Sequence, residues 1–277
     1  MASTHLPTRP RNTEHQEIRL GQVPEPSEVP DIARRARKAW ELRPRAKLDL
    51  RRICGNLGIE VSVVSLEVPE GGAQGFLIPR PGGFLVEIDP EPRGGWQSVP
   101  PSLRSQLERH RKRFLIAHEL THTLFYEDHP TGPRRLVPDS PRQESFCDEL
   151  ARTLLVPLDA AAELPFDPQS AVEIQRRFDV SMEVALRGLV AAHRDAGAAW
   201  LLLQESDETL VQWTSADRRL TAQAMRGLRG LANRATKDGH SDAALLAPGA
   251  HAWARYLPGR AQVIVTCRRF ASNRPPD

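Results

Sequence analysis

The chain has 277 residues, a formal net charge of +3, 40% hydrophobic and 26% charged residues, so most of it should fold as one large domain or two modest ones. Aromatic residues make up only 5%, which argues against a stacking platform for single-stranded nucleic acid. Three dispersed cysteines, Cys54, Cys147 and Cys267, form no CxxC pair, so neither a disulfide framework nor a thiolate metal site is indicated, and reduced cytosolic thiols fit best.

Residues 1–30 are polar and proline-rich and read as a disordered tail; without an apolar core segment they do not read as a signal peptide. No run approaches the roughly 20 apolar residues that span a bilayer, so the expectation is a cytoplasmic protein with no membrane partner. From Asp31, "DIARRARKAWEL" has a helical pattern that Pro44 interrupts, and "RAKLDLRRICGNL" continues as a second helix ending near Gly55 or Gly58. "GIEVSVVSLEV" reads as a strand, and glycine-rich turns bracket two more short ones in "FLI" and "FLVEID". After a loop at 90–102, a long helix is expected over roughly 103–126. Ser140, Pro141 and Gln143 then form a coherent helix start, with Pro157 as its stop. A capping box at Ser170 and Glu173 opens a helix-turn-helix pair whose second helix is capped by Ser181. Beyond residue 197, "AWLLLQESDETLVQW" reads as a hairpin, "DRRLTAQAMRGLRGLANRA" as a helix and "AQVIVTC" as a strand.

Chemistry concentrates in "RKRFLIAHELTHTLFYED". On a helix, His118 and His122 stand four apart and project from one face, so both can reach a single metal ion. Glu119 points about 100° round the helix and can serve a metal-bound water as general base without ligating the ion. This is the HExxH pattern; a pair of partly buried structural histidines is its bland alternative. A zinc hydrolase needs a third protein ligand and one position left for water. The helix "SPRQESFCDELARTLLVP" offers Glu144 in its first turn, with Cys147, Asp148 and Ala151 on the same side. Asp148 would accept the second ring N–H of a ligand histidine. Glu144 is also explained as a charge placed favourably at a helix N-terminus, and Glu149 is a rival ligand on a different face. Tyr126 and His129, about one turn beyond the motif, are candidate donors to the oxyanion of a tetrahedral intermediate, or simply helix-end residues. Cys147 reads as a small buried thiol packed under the site.

The two motifs, "RFLIAHELTHTLF" and, 22 residues after the second histidine, "ESFCDELARTLLVP", resemble those of the ImmA/IrrE family of metallopeptidases. The resemblance spans roughly residues 31–193. It implies a mainly helical, zincin-like metallopeptidase domain with a small sheet at 31–165; with the helix-turn-helix pair read at 166–197 and a C-terminal α/β module of unassigned role read from its own pattern at 198–277, the expected class is α+β. It implies a zinc ion, one per chain, held by His118, His122 and Glu144, with Glu119 as catalytic base; manganese or iron also suit such donors. The substrate implied is a helix-turn-helix transcriptional repressor whose cleavage releases stress-response or mobile-element genes. The sequence departs from the family pattern at Thr121, where glycine is usual, and at Cys147, Asp148 and Leu150, without removing a ligand or the base.

A competing reading is a metal-binding, non-proteolytic regulator or DNA-binding adaptor. Nine lysines and arginines between Arg34 and Arg52 would supply its basic face, although a solvated helix surface is the ordinary origin of such a cluster. The helix-turn-helix pair lacks the Arg, Asn and Gln row expected for base readout, so it reads as structural or substrate-docking, with nucleic-acid contact left open.

Overall fold

The computed structural model describes residues 18–65, 74–90, 101–193, 197–205, 208–211, parts of 230–238, 242–247, 250–257 and 262–269. Residues 1–17, the glycine-rich turn at 66–73, the loop at 91–100 and most of the helix expected over 217–235 lie outside the described residues.

Two helices come first, α1 (Val29–Ala39) and α2 (Leu50–Leu57). The Asp49 carboxylate caps α2 by accepting the Arg52 N–H, and Gly58 ends the helix at φ 67°, a left-handed conformation that glycine adopts without a Cβ clash. Strand β1 (Ile59–Val63) runs parallel to β3 (Gly83–Ile88), while β2 (Gly75–Arg80) pairs antiparallel on the other side of β3. The order β1-β3-β2 leaves β2 at an edge.

Helix α3 (Pro101–His122) packs across β2 and β3. It ends four residues before the position expected from its pattern. The Thr121 and Thr123 hydroxyls donate back to the carbonyls of His118 and Leu120 at 2.7 Å, and the chain tightens into a 3-10 turn at Thr123–Phe125. Such back-bonding competes with helix propagation. Tyr126 is then extended and, in strand β4 (Tyr126–Glu127), pairs with β5 (Arg134–Arg135).

Helix α4 (Pro141–Leu155) starts as its sequence indicates, with the Ser140 hydroxyl accepting the Gln143 N–H. It lies against both α3 and α1 and buries Phe146, Cys147, Leu150, Ala151 and Leu154. After the short α5 (Leu158–Ala161) come α6 (Pro168–Phe178) and α7 (Met182–Ala192). Ser181 caps α7, as expected. The cap of α6 is Asp167, not Ser170: its carboxylate accepts the Ser170 N–H at 2.7 Å. Pro168 at the first helical position has no N–H to satisfy and a preset φ, which moves the start one turn earlier.

The chain finishes in a five-stranded antiparallel sheet of β6 (Gly197–Glu205), β7 (Glu208–Val211), β8 (Asp242–Ala247), β9 (Ala250–Leu257) and β10 (Gln262–Arg269), in the order β7-β6-β10-β9-β8. The β6–β7 hairpin and strand β10 match the sequence reading. Strands β8 and β9 were not expected, because alanine-rich "DAALLA" and "AHAWARYL" hold few of the β-branched residues that mark strands. Helices α6 and α7 pack on this sheet, and Ile264 joins the same apolar core as α4.

The disordered tail expected through residue 30 is corrected from residue 18 onward. Ile18 and Leu20 are buried in the main core, the Leu20 N–H donates to the Leu124 carbonyl at 2.7 Å, and Pro26–Glu28 form a 3-10 turn leading into α1. Two apolar side chains in a polar stretch were enough once the turn after α3 offered them a groove. The α+β class with small sheets is as expected.

Candidate metal centre

The last turns of α3 face the first turns of α4, and polar side chains meet between them. His118 Nε2 and His122 Nε2 lie 3.1 Å apart. One Glu144 carboxylate oxygen is 3.2 Å from His118 Nε2, and the other is 3.5 Å from His122 Nε2. Donors about 2.0–2.1 Å from a tetrahedral ion sit about 3.3 Å from one another, so this spacing suits a single small divalent cation. Among the described residues these three form the only group of His, Cys, Asp or Glu side chains clustered tightly enough for such an ion.

What surrounds the three donors sets their protonation. His118 Nδ1 is 2.9 Å from Asp148 Oδ1, and Asp148 Oδ2 accepts from Arg152 at 3.0 Å. A carboxylate on Nδ1 keeps a proton there and leaves Nε2 as the nitrogen that faces Glu144. Burial opposes charging of His118, yet the hydrogen bonds to Asp148 and Glu144 and the nearby Glu119 charge outweigh it and lift its pKa to about 9. Hydrogen bonds to His118 and His122 hold Glu144 well below the usual carboxylate range. Burial also opposes ionisation of Asp148, but its bonds to His118 and Arg152 keep it low. Arg152 is held in turn over the Phe114 ring, 5.6 Å from its centroid.

Glu119 stands beside the donors without joining them. It is 5% exposed, and burial raises its pKa, an effect partly offset by the two histidines. Gly75 of β2 lies so close that a Cβ there would fall 2.5 Å from Glu119 Oε1. A side chain at 75 would therefore require the Glu119 carboxylate to shift.

These groups open into a cleft of about 610 Å³. Gln74, Gly75, Phe76 and Leu77 all line it, and successive strand residues point to opposite faces. Among the described residues β2 has no strand partner on its outer side, and this edge strand borders the cleft. Phe114 and Leu115 form an apolar wall, and Tyr126, Arg135 and Asp139 close the other end. Arg135 pairs with Asp139 and sits 5.4 Å from the Tyr126 ring centroid.

His118, Glu119, His122, Glu144, Asp148 and Tyr126 all line this cleft. His129 does not; its ring meets the Thr131 hydroxyl on an exposed turn. The rival Glu149 pairs with Arg152 and lies outside the cleft. Cys147 is fully buried, and burial pushes its thiol up to about 12, consistent with a packing role. Thr121 is also fully buried between the helices: besides its bond to the His118 carbonyl, its hydroxyl lies 3.5 Å from the Cys147 carbonyl, which explains how the helices tolerate threonine there. Sequence reasoning missed Gln143, Arg135, Asp139 and the β2 edge. Only Gln143 carried a signal, and it was read as a capping residue.

Part of the basic stretch from Arg34 to Arg52 is paired within the chain, although of its basic residues only Arg37 is buried. Arg37 is buried and donates to the carbonyls of Leu154, Arg43 and Ala46. Arg45, Lys47 and Arg52 pair with Glu163, Asp179 and Glu41. None of the described helices is long and apolar enough to cross a membrane.

Residues 102–190 match the family model of the IrrE N-terminal-like domain, peptidase family M78. The match covers α3 through most of α7, the segment that carries the candidate metal centre, and shows what this part of the chain is similar to. A solved structure, a Mycobacterium tuberculosis transcriptional regulator, is similar at 13% identity over 94% of this chain and 82% of that one, with a TM-score of 0.49, a likeness too low to carry an argument. No curated protein matches the chain significantly.

Proposed function

We propose that the chain is a zinc-dependent endopeptidase with His118, His122 and Glu144 as metal ligands and Glu119 as general base. The observation that carries this reading is the convergence of three donor groups at 3.1–3.5 Å beside a buried carboxylate. When bound, zinc supplies Lewis acidity, lowering the pKa of its water to about 7 and polarising a carbonyl. Glu119 takes the proton of the attacking water and returns it to the leaving amine. Its burial favours proton acceptance, because a raised carboxylate pKa lies nearer to neutral pH. Asp148 holds His118 in the ligating tautomer, and Tyr126 is placed in the cleft to donate to the developing oxyanion.

The free edge of β2 supports a peptide as substrate. A chain laid along it would gain main-chain hydrogen bonds as an added strand, with its scissile carbonyl delivered toward Glu119. The family resemblance extends the proposal to a cytoplasmic helix-turn-helix repressor as the protein cut. Of the basic residues in the 34–52 stretch only Arg37 is buried, so the adaptor reading is separated from this one by the cleavage test below.

The test is cleavage of a candidate repressor from the same genome by wild-type chain and by Glu119→Gln, with zinc content measured on both. Discrete, zinc-dependent fragments are expected from wild type. Glu119→Gln should keep its zinc and cut at least about 10²-fold more slowly. Wild-type cleavage by Glu119→Gln would overturn the mechanism.

A further inference from the structure

Gln143 is fully buried in the first turn of α4, immediately before Glu144. The serine cap takes its backbone N–H, but its side chain does not fold back to complete a capping box. The amide instead enters the space between the helices, where Nε2 faces His122 Nδ1 at 3.5 Å. The Oε1 atom is buried with no hydrogen-bond partner among the described residues. A buried amide oxygen left unpaired is destabilising, so the environment asks for a donor at this point.

The two ends of a glutamine amide exchange by rotation of its terminal torsion, and they ask opposite things of an imidazole. With Nε2 toward the ring, Nδ1 accepts and the ring proton sits on Nε2, aimed at Glu144. With Oε1 toward the ring, Nδ1–H donates, the unpaired oxygen is satisfied, and the Nε2 lone pair faces His118 and Glu144. His118 reaches the same state through Asp148 on its own Nδ1. Among the described residues His122 Nδ1 meets this amide where His118 Nδ1 meets a carboxylate.

We propose that Gln143 is the positioning residue of His122: its amide oxygen accepts the Nδ1 proton and fixes the ligating tautomer, as Asp148 does for His118. The inference rests on the metal-centre reading above. A glutamine serves here where a second carboxylate would add another charge to a pocket already holding Glu119, Glu144 and Asp148. The same amide, turned over, supports the His122-to-Glu144 hydrogen bond when no cation is present. Gln143 touches neither substrate nor the attacking water and acts through His122 alone.

Two variants separate positioning from packing. Gln143→Met keeps the length and volume while removing both polar atoms; Gln143→Glu keeps an acceptor and removes the donor. Zinc affinity would be read by competition with a chromophoric chelator, alongside the thermal midpoint of the metal-free chains and the ¹⁵N-edited Nδ1–H signal of His122 in the zinc-loaded chains. Gln143→Met should bind zinc about 10–100-fold more weakly with the His122 Nδ1–H signal lost. Gln143→Glu should bind at least as tightly as wild type with the signal retained. Equal zinc affinity in wild type and Gln143→Met overturns the inference while leaving the metal centre intact. Should Gln143→Met not fold, tenfold weaker zinc binding by a folded Gln143→Glu overturns it instead. A wild-type chain that binds no zinc overturns the metal-centre reading, and this inference with it.

Discussion

Helix α3 carries two polar clusters two turns apart, and they balance charge in different ways. Toward its middle, Arg109, His110 and Arg113 gather on Asp179 at the α6–α7 turn. Asp179 accepts from Arg109 at 3.0 Å and from Lys47 at 3.0 Å, His110 Nε2 lies at 3.2 Å, and Arg113 donates to its carbonyl at 3.1 Å. Burial opposes its ionisation, but the Lys47 and Arg109 bonds draw its pKa down to about 2. Every partner there is supplied by the protein. Toward the C-terminal end, His118, His122 and Glu144 instead bring three potential ligand atoms to one point, and the protein's own cations, Arg152 and Arg135, are tied to Asp148 and Asp139 at the periphery. The first arrangement pins the helix-turn-helix pair to α3. The second is the pattern of a site for a cation from outside. Proximity of charged groups on one helix does not distinguish structure from chemistry; the direction of their lone pairs and protons does.

Breaking the second cluster should have the largest consequence. His122→Ala removes one of three donors, so zinc should be lost from the purified chain and cleavage with it, a deeper loss than the about 10–100-fold cost of disturbing an outer partner. Metal analysis checks this, and stoichiometric zinc in His122→Ala would contradict the assignment. Gly75→Ala comes next. A methyl 2.5 Å from Glu119 Oε1 forces the carboxylate to move, and about an ångström of displacement costs on the order of 10²-fold in rate. Its zinc content should be unchanged, which distinguishes it from the ligand variant in the same assay.

Asp148→Ala should weaken zinc by about 10–100-fold, because His118 loses the group that fixes its tautomer. Chelator competition gives the number directly. The smallest effect is expected in the other cluster. Asp179→Asn keeps a residue that tolerates the φ of 54° and removes only the charge. With a folded pKa of about 2, below the ordinary value for aspartate, the carboxylate stabilises the fold at higher pH, and that contribution is lost as pH falls through the folded value. The two partners that draw its pKa down, Lys47 and Arg109, are exposed, so the expected loss is only about 1 kcal/mol at neutral pH after allowing for solvent screening. Urea titrations of the two chains should differ at pH 7 and converge between about pH 4 and 2, with zinc content the same in both.

Local patterns made much of the site legible. The four-residue spacing of His118 and His122, the adjacent Glu119, and the start of α4 at Ser140 are short-range facts of helix geometry, and they place Glu144 and Asp148 on the turns that meet α3. The same short-range reading correctly found Ser181, the β6–β7 hairpin and β10. It failed where a contact between segments decides: Ile18 and Leu20 are buried because the turn after α3 lies beside them, and β9 holds as a strand through pairing with β10, and β8 through pairing with β9, not through their own propensity. Tyr126 and His129 looked equivalent in sequence, three residues apart. The extended pairing of β4 with β5 turns Tyr126 into the cleft and leaves His129 on the outer turn.

By itself, then, the sequence determined which residues are chemically able to hold a metal and move a proton, because residue type and helical period are local properties. Only the tertiary structure decided that β2 presents its free edge to the cleft, that glycine at 75 lets it approach Glu119, and that the Gln143 amide meets His122. Those are contacts between segments 21 to 44 residues apart in the chain, and no local period encodes them.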